Sequence, residues 1–283
     1  MSRQYSKVVL VTGASSGIGR SIAVYLAGKG YRVYGTSRKS QPEGADEPEC
    51  NKDSGGFIKM LQMDVCSEDS VKAAVEKVIG FEGEIGIVVN NAGMGIAGSV
   101  EDTSPEEAFL QLDTNFFGMH RVIRQVLPYM REKGNGLIVN MSSVGALFPI
   151  PYQSMYVASK AAIEGMSGSL RNELKPFGIK VSMVEPGDTK TGFTASRVFV
   201  KEGGEGSAYR KYSDRSVTVM EHDETHGPDP IVVAKVVGKI IEKRNPPVVK
   251  TVGLQYKLLV FARRIIPKAL ESFVVGKMYE GSE

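Results

Sequence analysis

Residues 8–19 read VVLVTGASSGIG, and this short stretch decides the fold. Four aliphatic residues predict a buried strand, and the glycine-rich segment at 12–19 follows it directly, ahead of a helical pattern. Gly13 permits a tight turn, Gly17 lets the backbone approach a ligand, and Gly19 allows the helix to pack closely on the strand. Because a helix N-terminus offers free N–H groups and a positive dipole, the segment predicts a pyrophosphate site.

The same alternation of short apolar strands and longer helices continues along the chain. Such an order predicts a parallel sheet, because parallel neighbours need a crossover helix between them. We expect an α/β fold, specifically a single-domain Rossmann-type, doubly wound, seven-stranded parallel sheet with helices on both faces. The predicted strands are 8–11, 32–35, 58–61, 85–89, 137–141, 179–184 and 248–252.

Three stretches depart from this alternation. Residues 40–56 are polar and acidic, which predicts a flexible insertion between the second and third strands. Residues 193–228 are long for a connection and predict a substrate lid. The predicted organisation is therefore one dinucleotide-binding domain over 1–253, lid included, with a C-terminal extension of the same domain over 254–283.

Composition excludes several classes of protein. The chain has 283 residues, 42% of them hydrophobic, and a net charge of +3, which is too mild to predict a nucleic-acid partner. No apolar run approaches the roughly 18 residues of a membrane span, and no secretory segment is recognised near Met1. Cys50 and Cys66 lack a metal-type spacing, and no metal site is predicted. We expect a cytoplasmic location.

The end of the second strand predicts which dinucleotide is bound. It reads Thr36-Ser37-Arg38, and no acidic residue follows before Glu43. In sheets that bind NAD an acidic residue near this point takes the ribose 2′-hydroxyl, whereas an Arg accommodates the 2′-phosphate of NADP. Since Arg38 and Lys39 are available for a phosphate, the sequence favours NADP(H). A solvated basic turn is the alternative interpretation.

Residues 156–160 read YVASK, which places Tyr156 four residues ahead of Lys160. On a helix the two side chains lie on one face. A neighbouring cation favours the phenolate and lowers the pKa of a tyrosine, which suits a proton donor. Ordinary surface neighbours are the alternative.

Taken together, these segments resemble the short-chain dehydrogenase/reductase superfamily over nearly the whole chain. The Thr-Ser-Arg strand end and the C-terminal extension are similar to its NADP-preferring hydroxysteroid and retinol dehydrogenase branch. The motifs that carry the resemblance are TGASSGIG at 12–19, Asp64-Val65, NNAG at 90–93, Asn115, MSSVG at 141–145, YVASK at 156–160, and Pro186-Gly187 with Thr189.

The resemblance implies four catalytic residues. Tyr156 would exchange a proton with the substrate oxygen, Lys160 would lower the pKa of Tyr156 and bind the nicotinamide ribose, and Ser143 would hydrogen-bond that oxygen. Asn115 would hold a water in a proton relay through Lys160, with a helix-kink role as its alternative. Ser142 is the alternative to Ser143, although a one-residue shift points it the other way.

The resemblance also implies a set of contacts with NADP(H). Asp64 and Val65 would flank the adenine, Asn90 would lie on the adenosine side, and Thr189 would meet the carboxamide. The expected contacts are Gly13, Ser15, Ser16, Gly17, Ile18, Gly19, Ser37, Arg38, Asp64, Val65, Asn90, Ala92, Gly93, Tyr156, Lys160, Pro186, Gly187 and Thr189.

The substrate is expected to be a bulky apolar ketone or alcohol, steroid- or retinoid-like, because the candidate lining residues are apolar. A 3-oxoacyl-thioester or general carbonyl reductase is the alternative among enzymes, and a non-catalytic NADPH-sensing protein is the alternative outside them. His222 and His226 are candidates for a polar contact with the substrate. The lining candidates are Met94, Ile96, Ala97, Leu147, Phe148, Pro149, Phe193, Phe199 and Tyr209.

The C-terminal extension has two interpretations. Residues 250–268 hold five Lys or Arg and no Asp or Glu, and four apolar residues recur at helical spacing from Leu254 to Ile265. Contact of residues 254–266 with a membrane surface is one interpretation. Packing over the pocket or against a partner subunit is the one that we favour. The resemblance further implies a homodimer through helices 104–133 and 154–177, with a tetramer left open.

Overall fold

A sheet of eight strands forms the centre of the molecule in the computed structural model, which describes residues 5–39 and 47–280. The strand order is β10-β8-β7-β5-β1-β2-β4-β3, and the first seven of these pair in parallel. The doubly wound parallel sheet is therefore confirmed. The strands are β1 Val8–Val11, β2 Arg32–Ser37, β3 Glu49–Cys50, β4 Phe57–Gln62, β5 Ile87–Asn90, β6 Ile96–Ala97, β7 Gly136–Met141, β8 Ile179–Glu185, β9 Val198–Phe199 and β10 Val249–Thr251.

The eighth strand corrects the prediction of a flexible insertion over 40–56. β3 pairs antiparallel with β4, Glu49 opposite Ile58 and Cys50 opposite Phe57. The Glu49 carboxylate accepts two hydrogen bonds from the guanidinium of Arg20, at 3.0 Å and 2.5 Å. This pairing anchors the segment on the sheet edge. Residues 40–46 of the insertion lie outside the described residues.

Helices cover both faces of the sheet, as predicted. Along β1, Val9 and Val11 pack towards α1 and α7, whereas Val8 and Leu10 point to the opposite face, where α2, α4 and α5 lie. Successive side chains of a strand point to opposite faces, so one apolar strand serves two hydrophobic cores. The helices are α1 Gly17–Ala27, α2 Glu68–Glu82, α3 Pro105–Leu112, α4 Gly118–Lys133, α5 Ser154–Glu173, α6 Arg210–His226, α7 Ile231–Ile241, α8 Leu254–Arg263 and α9 Lys268–Tyr279.

The segment between α3 and α4 is a π-helix over Asp113–Phe117. Ser104 caps the N-terminus of α3 and forms a capping box with Glu107, so the long helix begins as its sequence dictates. The π turn then widens the helix in its middle, a feature often found at functional sites. It carries Asn115.

The predicted lid over 193–228 and the C-terminal extension both contain regular structure. Val198 and Phe199 form β9, which pairs with β6 in a small second sheet, and α6 occupies the second half of the lid. Helices α8 and α9 follow the last strand, and Val275 of α9 joins Val144 and Phe148 in a third hydrophobic cluster. None of the described helices combines the length and apolar character needed to cross a bilayer.

Candidate active site

A cavity of about 720 Å³ opens at the carboxyl ends of the parallel strands. The strand order reverses between β1 and β5, and in open α/β sheets ligands bind in the crevice at such a point. The loops that follow β1, β2, β5, β7 and β8 all contribute to its walls. Most of the residues predicted to bind the cofactor therefore converge on one site.

The glycine-rich loop forms one end of this cavity. Gly13 and Gly17 adopt positive φ angles of 66° and 54°, which L side chains rarely adopt, so glycine is required at both positions. Gly19 does not line the cavity. A Cβ at this position would overlap the carbonyl oxygen of Gly13, so glycine allows the close packing here. The loop residues that do line it are Gly13, Ser15, Ser16, Gly17 and Ile18.

Asn91 and Thr12 hold the glycine-rich loop against β5, a role that sequence reasoning missed. The Asn91 side-chain amide donates to the carbonyl oxygens of Thr12 and Gly13, at 3.0 Å and 3.2 Å. The Thr12 hydroxyl accepts from the backbone N–H groups of Asn91 and Ala92, each at 2.9 Å. Two strand ends are thereby locked together where a pyrophosphate would lie. The signal was present in the NNAG segment, whose second Asn had no assigned role.

The end of β2 suits a phosphate group. Ser37, Arg38 and Lys39 all line the cavity, and the two cations are exposed. Neither cation forms an ion pair with any residue in the described ranges, so both charges are available to an anion. The chemistry of this corner fits the 2′-phosphate of NADP.

Two of the predicted adenosine contacts do not line the cavity. Asp64 uses its carboxylate to accept from the N–H of Cys66 at 3.0 Å, while its neighbour Val65 lines the wall. Asn90 is buried and donates to the Oδ1 atom of Asn140 at 2.8 Å. Both side chains therefore support strand ends instead of facing the ligand space. The other predicted contacts, Ala92, Gly93, Pro186, Gly187 and Thr189, line the cavity.

Tyr156, Ser143 and Lys160 come together in the middle of the cavity wall. Tyr156 and Lys160 lie on one face of α5, with the Lys160 Nζ atom 5.7 Å from the centre of the Tyr156 ring. The Ser143 hydroxyl hydrogen-bonds the Tyr156 side chain, and its Oγ atom accepts from the N–H of Gly145 at 3.0 Å. Lys160 donates to the carbonyl oxygen of Met141 at 2.9 Å. The sequence spacing thus yields a contiguous polar group inside an apolar cavity.

Burial is the largest cause of the pKa shifts of Tyr156 and Lys160, and the expected lowering of the Tyr156 pKa by Lys160 stays a prediction. Burial raises the pKa of Tyr156 to about 12; the hydrogen bond with Ser143 lowers it, and the carboxylates of Glu224 and Asp188 raise it further. Burial also lowers the pKa of Lys160 to about 8. A buried ammonium loses hydration, which favours the neutral form of Lys160 beside the phenol of Tyr156.

Ser142 also lines the cavity, but its hydroxyl has a different partner from that of Ser143. Its hydroxyl donates to the Glu164 carboxylate at 2.8 Å, and a second carboxylate, that of Glu185, shares a hydrogen bond with Glu164. Burial is the main cause that raises the pKa of Glu164 to about 7, with the charge of Glu185 adding to it. Ser143 is thus the serine that hydrogen-bonds Tyr156, whereas Ser142 bonds Glu164.

The side chain of Asn115 forms three structural hydrogen bonds. Its amide donates to the carbonyl oxygen of Met94 and to the Ser159 hydroxyl, each at 3.0 Å, and its Oδ1 atom accepts from the N–H of Met94 at 2.8 Å. Ser159 in turn donates to the carbonyl oxygen of Tyr156 at 2.7 Å. Asn115 does not line the cavity, so its side chain connects the π turn to the helix that carries Tyr156.

The predicted substrate wall is only partly correct. Met94, Phe148 and Phe193 line the cavity, and the Phe193 ring lies 5.9 Å from the Tyr156 ring. His222 and His226 stack on each other on α6 and are not among the lining residues. The candidates that do not line the cavity are Ile96, Ala97, Leu147, Pro149, Phe199 and Tyr209.

The C-terminal extension supplies a part of the wall that sequence reasoning missed. The tail is rich in apolar residues, but the four that the sequence places at helical spacing are exposed and do not line the cavity. Residues of α8, α9 and the segment between them line the cavity, which agrees with packing over the pocket, whereas packing against a partner subunit stays a prediction. The lining residues from this region are Tyr256, Leu259, Ile266, Glu271, Val274, Val275, Met278 and Tyr279.

Two of the carboxylates that line the cavity, those of Asp188 and Glu224, act on the pKa of Tyr156. Tyr256 donates to the Asp188 carboxylate at 2.5 Å, and burial raises the pKa of Asp188. Glu224 accepts from Arg197 at 2.5 Å and from the Thr194 hydroxyl at 2.6 Å. Within the described residues, no group of three or more His, Cys, Asp or Glu side chains could hold a metal ion.

Comparison with known proteins assigns the family. The family model for short chain dehydrogenases matches residues 7–199. The chain belongs to the short-chain dehydrogenase family. It is 41% identical to the 3-ketodihydrosphingosine reductase of Bacteroides thetaiotaomicron over 247 residues, which cover 87% of this chain and 88% of that relative.

Two further short-chain dehydrogenase comparisons bear on the site. Retinol dehydrogenase 8 of Bos taurus is 34% identical over 270 residues, which cover 92% of this chain and 86% of the relative. An alcohol dehydrogenase from Thermococcus sibiricus, solved in complex with 5-hydroxy-NADP, has a TM-score of 0.67 and 25% identity, covering 87% of this chain and 94% of its own. The resemblance to the retinol dehydrogenase branch is thus confirmed, and a structural neighbour holds a nicotinamide dinucleotide.

Proposed function

We propose that this short-chain dehydrogenase transfers a hydride between NADP(H) and the carbonyl or secondary alcohol of a bulky apolar substrate. The observation that carries the proposal is the convergence of Tyr156, Ser143 and Lys160 in a cavity that is otherwise largely apolar. The glycine-rich loop and the exposed cations of Arg38 and Lys39 support NADP(H) as the cofactor. When bound, the cofactor supplies the hydride.

The protein's own residues transfer one proton and orient the substrate oxygen. With a pKa of about 12, Tyr156 keeps its proton at neutral pH until the carbonyl oxygen gains negative charge. Because an alkoxide is a stronger base than a phenolate, the proton then moves from the Tyr156 hydroxyl to the substrate oxygen. Ser143 donates a hydrogen bond to the same oxygen and fixes its position. At neutral pH Tyr156 is thus in the protonated form that carbonyl reduction requires.

The apolar walls support a long or bulky ketone as substrate. The relative named for 3-ketodihydrosphingosine makes that compound the first candidate, and the retinol dehydrogenase relative makes retinaldehyde the second. Both would bury apolar chains against Phe148, Phe193 and the helices of the extension. Cys50 and Cys66 are both free thiols, which supports the cytoplasm as the compartment.

The first experiment measures NADPH consumption against 3-ketodihydrosphingosine, retinaldehyde, ketosteroids and 3-oxoacyl thioesters, with NADH run beside NADPH. Tyr156→Phe should lower turnover by about 100-fold or more, since a positioned general acid contributes about 10²–10⁴-fold, while NADPH still binds. Tyr212→Phe, at an exposed position of α6, is the matched control. Equal turnover by Tyr156→Phe and the wild type would refute the assignment, and no turnover with tight NADPH binding would favour a sensing role.

A further inference from the structure

An uncovered apolar stripe lies on the outer side of α8. Leu254, Leu258, Phe261 and Ile265 are 73%, 62%, 60% and 71% exposed. Their spacing of four, three and four residues places them on one face of a helical path. We call these four residues the C-terminal stripe. Large apolar side chains that are exposed together in this way mark a surface that contacts something.

Positive charge borders the C-terminal stripe. Lys257 and Arg264 are exposed, precede Leu258 and Ile265 by one position each, and therefore flank one edge of the stripe. Neither forms an ion pair with a residue in the ranges 5–39 and 47–280. By contrast, Arg263 and Lys268 pair with the buried Glu271 at 3.3 Å and 3.2 Å, which ties α8 to α9. The structural cations are thus separate from the available ones.

We propose that α8 docks on an anionic lipid surface, with the C-terminal stripe at the boundary between headgroups and acyl chains. An apolar face edged by Lys and Arg is the pattern of helices that lie in the plane of a membrane interface. Anionic headgroups complement the unpaired charges of Lys257 and Arg264. A second copy of this chain is a poorer occupant, because a twofold contact of this face would bring like charges together.

The docked helix is also part of the cavity wall, through Leu259. Leu259, Val274 and Met278 line the cavity and are also 37%, 41% and 53% exposed, so they form an apolar rim between α8 and α9. An apolar ketone dissolved in the lipid would enter past this rim without crossing water. This consequence rests on the proposed function, whereas docking itself does not.

Vesicle flotation tests the docking independently of any activity. Vesicles of phosphatidylcholine alone are compared with vesicles that also contain phosphatidylglycerol. The wild type should float with the anionic vesicles, and added salt should weaken the binding. Lys257→Gln/Arg264→Gln should bind them about 25-fold more weakly, because each basic residue at an anionic surface contributes about a factor of five. Leu258→Ser/Phe261→Ser should lose binding to both kinds of vesicle.

The controls separate docking from a general charge effect. Lys77→Gln/Lys175→Gln removes two exposed cations far from α8 in sequence, and it should bind as the wild type does. The proposal is overturned if the wild type does not float with anionic vesicles or if Leu258→Ser/Phe261→Ser floats as well as the wild type. It is also overturned if light scattering shows that this variant changes the oligomeric state while vesicle binding is unchanged. Turnover of a short water-soluble ketone reports separately on the proposed function.

Discussion

Loss of hydration on burial is the largest cause of the pKa shifts of individual residues in the site. Tyr156 and Lys160 were expected to perturb each other as a phenol–ammonium pair. In the folded chain, desolvation moves both pKa values towards the neutral forms instead, to about 12 and about 8. The substrate therefore meets a phenol that carries its proton at neutral pH, which is the form that a general acid needs.

Arg38 is expected to decide between the two dinucleotides. Arg38→Ala should raise the KM for NADPH by about 10- to 100-fold, because a hydrogen bond to a charged group contributes about 1.5–3 kcal/mol. The KM for NADH should change little, since NADH lacks the 2′-phosphate. Arg244→Ala, another exposed arginine, is the control. Equal losses with both cofactors would contradict a specific phosphate contact.

Glu164 should make stability depend on pH. Its pKa is raised from 4.5 to about 7, so the folded chain holds the proton more tightly than the unfolded chain does. This stabilisation is complete below pH 4.5 and is lost as the pH rises through 7. Between pH 5 and pH 8 the free energy of unfolding should therefore fall by about 1–2 kcal/mol, after allowing for solvent screening.

Glu164→Gln should remove that pH dependence and raise the free energy of unfolding at pH 8. A glutamine can still accept from Ser142 and donate to Glu185, so the hydrogen bonds survive without the buried charge. Urea denaturation at the two pH values measures the difference. Glu173→Gln, exposed on the same helix, serves as the control. A wild-type-like pH dependence in Glu164→Gln would show that another group is responsible.

At the scale of elements, close packing of α1 on β1 forms the cofactor end of the site. The positive φ angles of Gly13 and Gly17 turn the chain, and the missing side chain of Gly19 lets the helix approach. The Asn91 amide then ties the loop to β5. The π turn acts similarly on the catalytic side, because Asn115 links it through Ser159 to the backbone of Tyr156.

Gly19→Ala should destabilise the fold by about 1–3 kcal/mol, the usual cost of overpacking, and weaken NADPH binding. The added Cβ would meet backbone atoms of Gly13, which cannot rotate away. Gly80→Ala is the matched control, since nothing lies within 4 Å of a Cβ at that position of α2. It should raise stability by about 0.5–1 kcal/mol, because alanine favours a helix over glycine. Thermal unfolding of both variants measures the change in stability. An unchanged stability of Gly19→Ala would contradict the packing argument.

At the scale of the whole molecule, apolar surface remains for a partner subunit. Phe109, Leu110 and Phe117 are 63%, 44% and 39% exposed on the α3–α4 segment, which belongs to the expected dimer surface. A homodimer through this surface remains a proposal. It is separate from the C-terminal stripe, so the chain could form both contacts at once.

Phe109→Asp should convert the proposed homodimer into a monomer, because a charge placed at an apolar interface loses its hydration. Light scattering coupled to gel filtration measures the mass. Val100→Asp, which places the same charge at another exposed apolar position, should leave the mass unchanged. A wild-type chain that runs as a monomer would contradict the proposal directly.

The sequence by itself determined the features that depend on local chemistry. Strand and helix order followed from the period of apolar residues, the glycine-rich loop from positions that need positive φ, and the Tyr156–Lys160 pairing from helical spacing. Each of these properties is encoded within a few neighbouring residues. The seven parallel strands could therefore be predicted, whereas the position of Ser143 beside Tyr156 was implied by the family resemblance.

Only the tertiary structure decided the features that depend on distant segments. Three such features depend on elements that meet only after folding. They are the wall formed by α8 and α9, the placement of Asn90 and Asp64, and the support of the loop by Asn91. The pKa values belong to the same class, because desolvation is set by everything that surrounds a group and not by its neighbour on the helix. Sequence spacing specifies which residues are adjacent, whereas burial is a property of the whole packed chain.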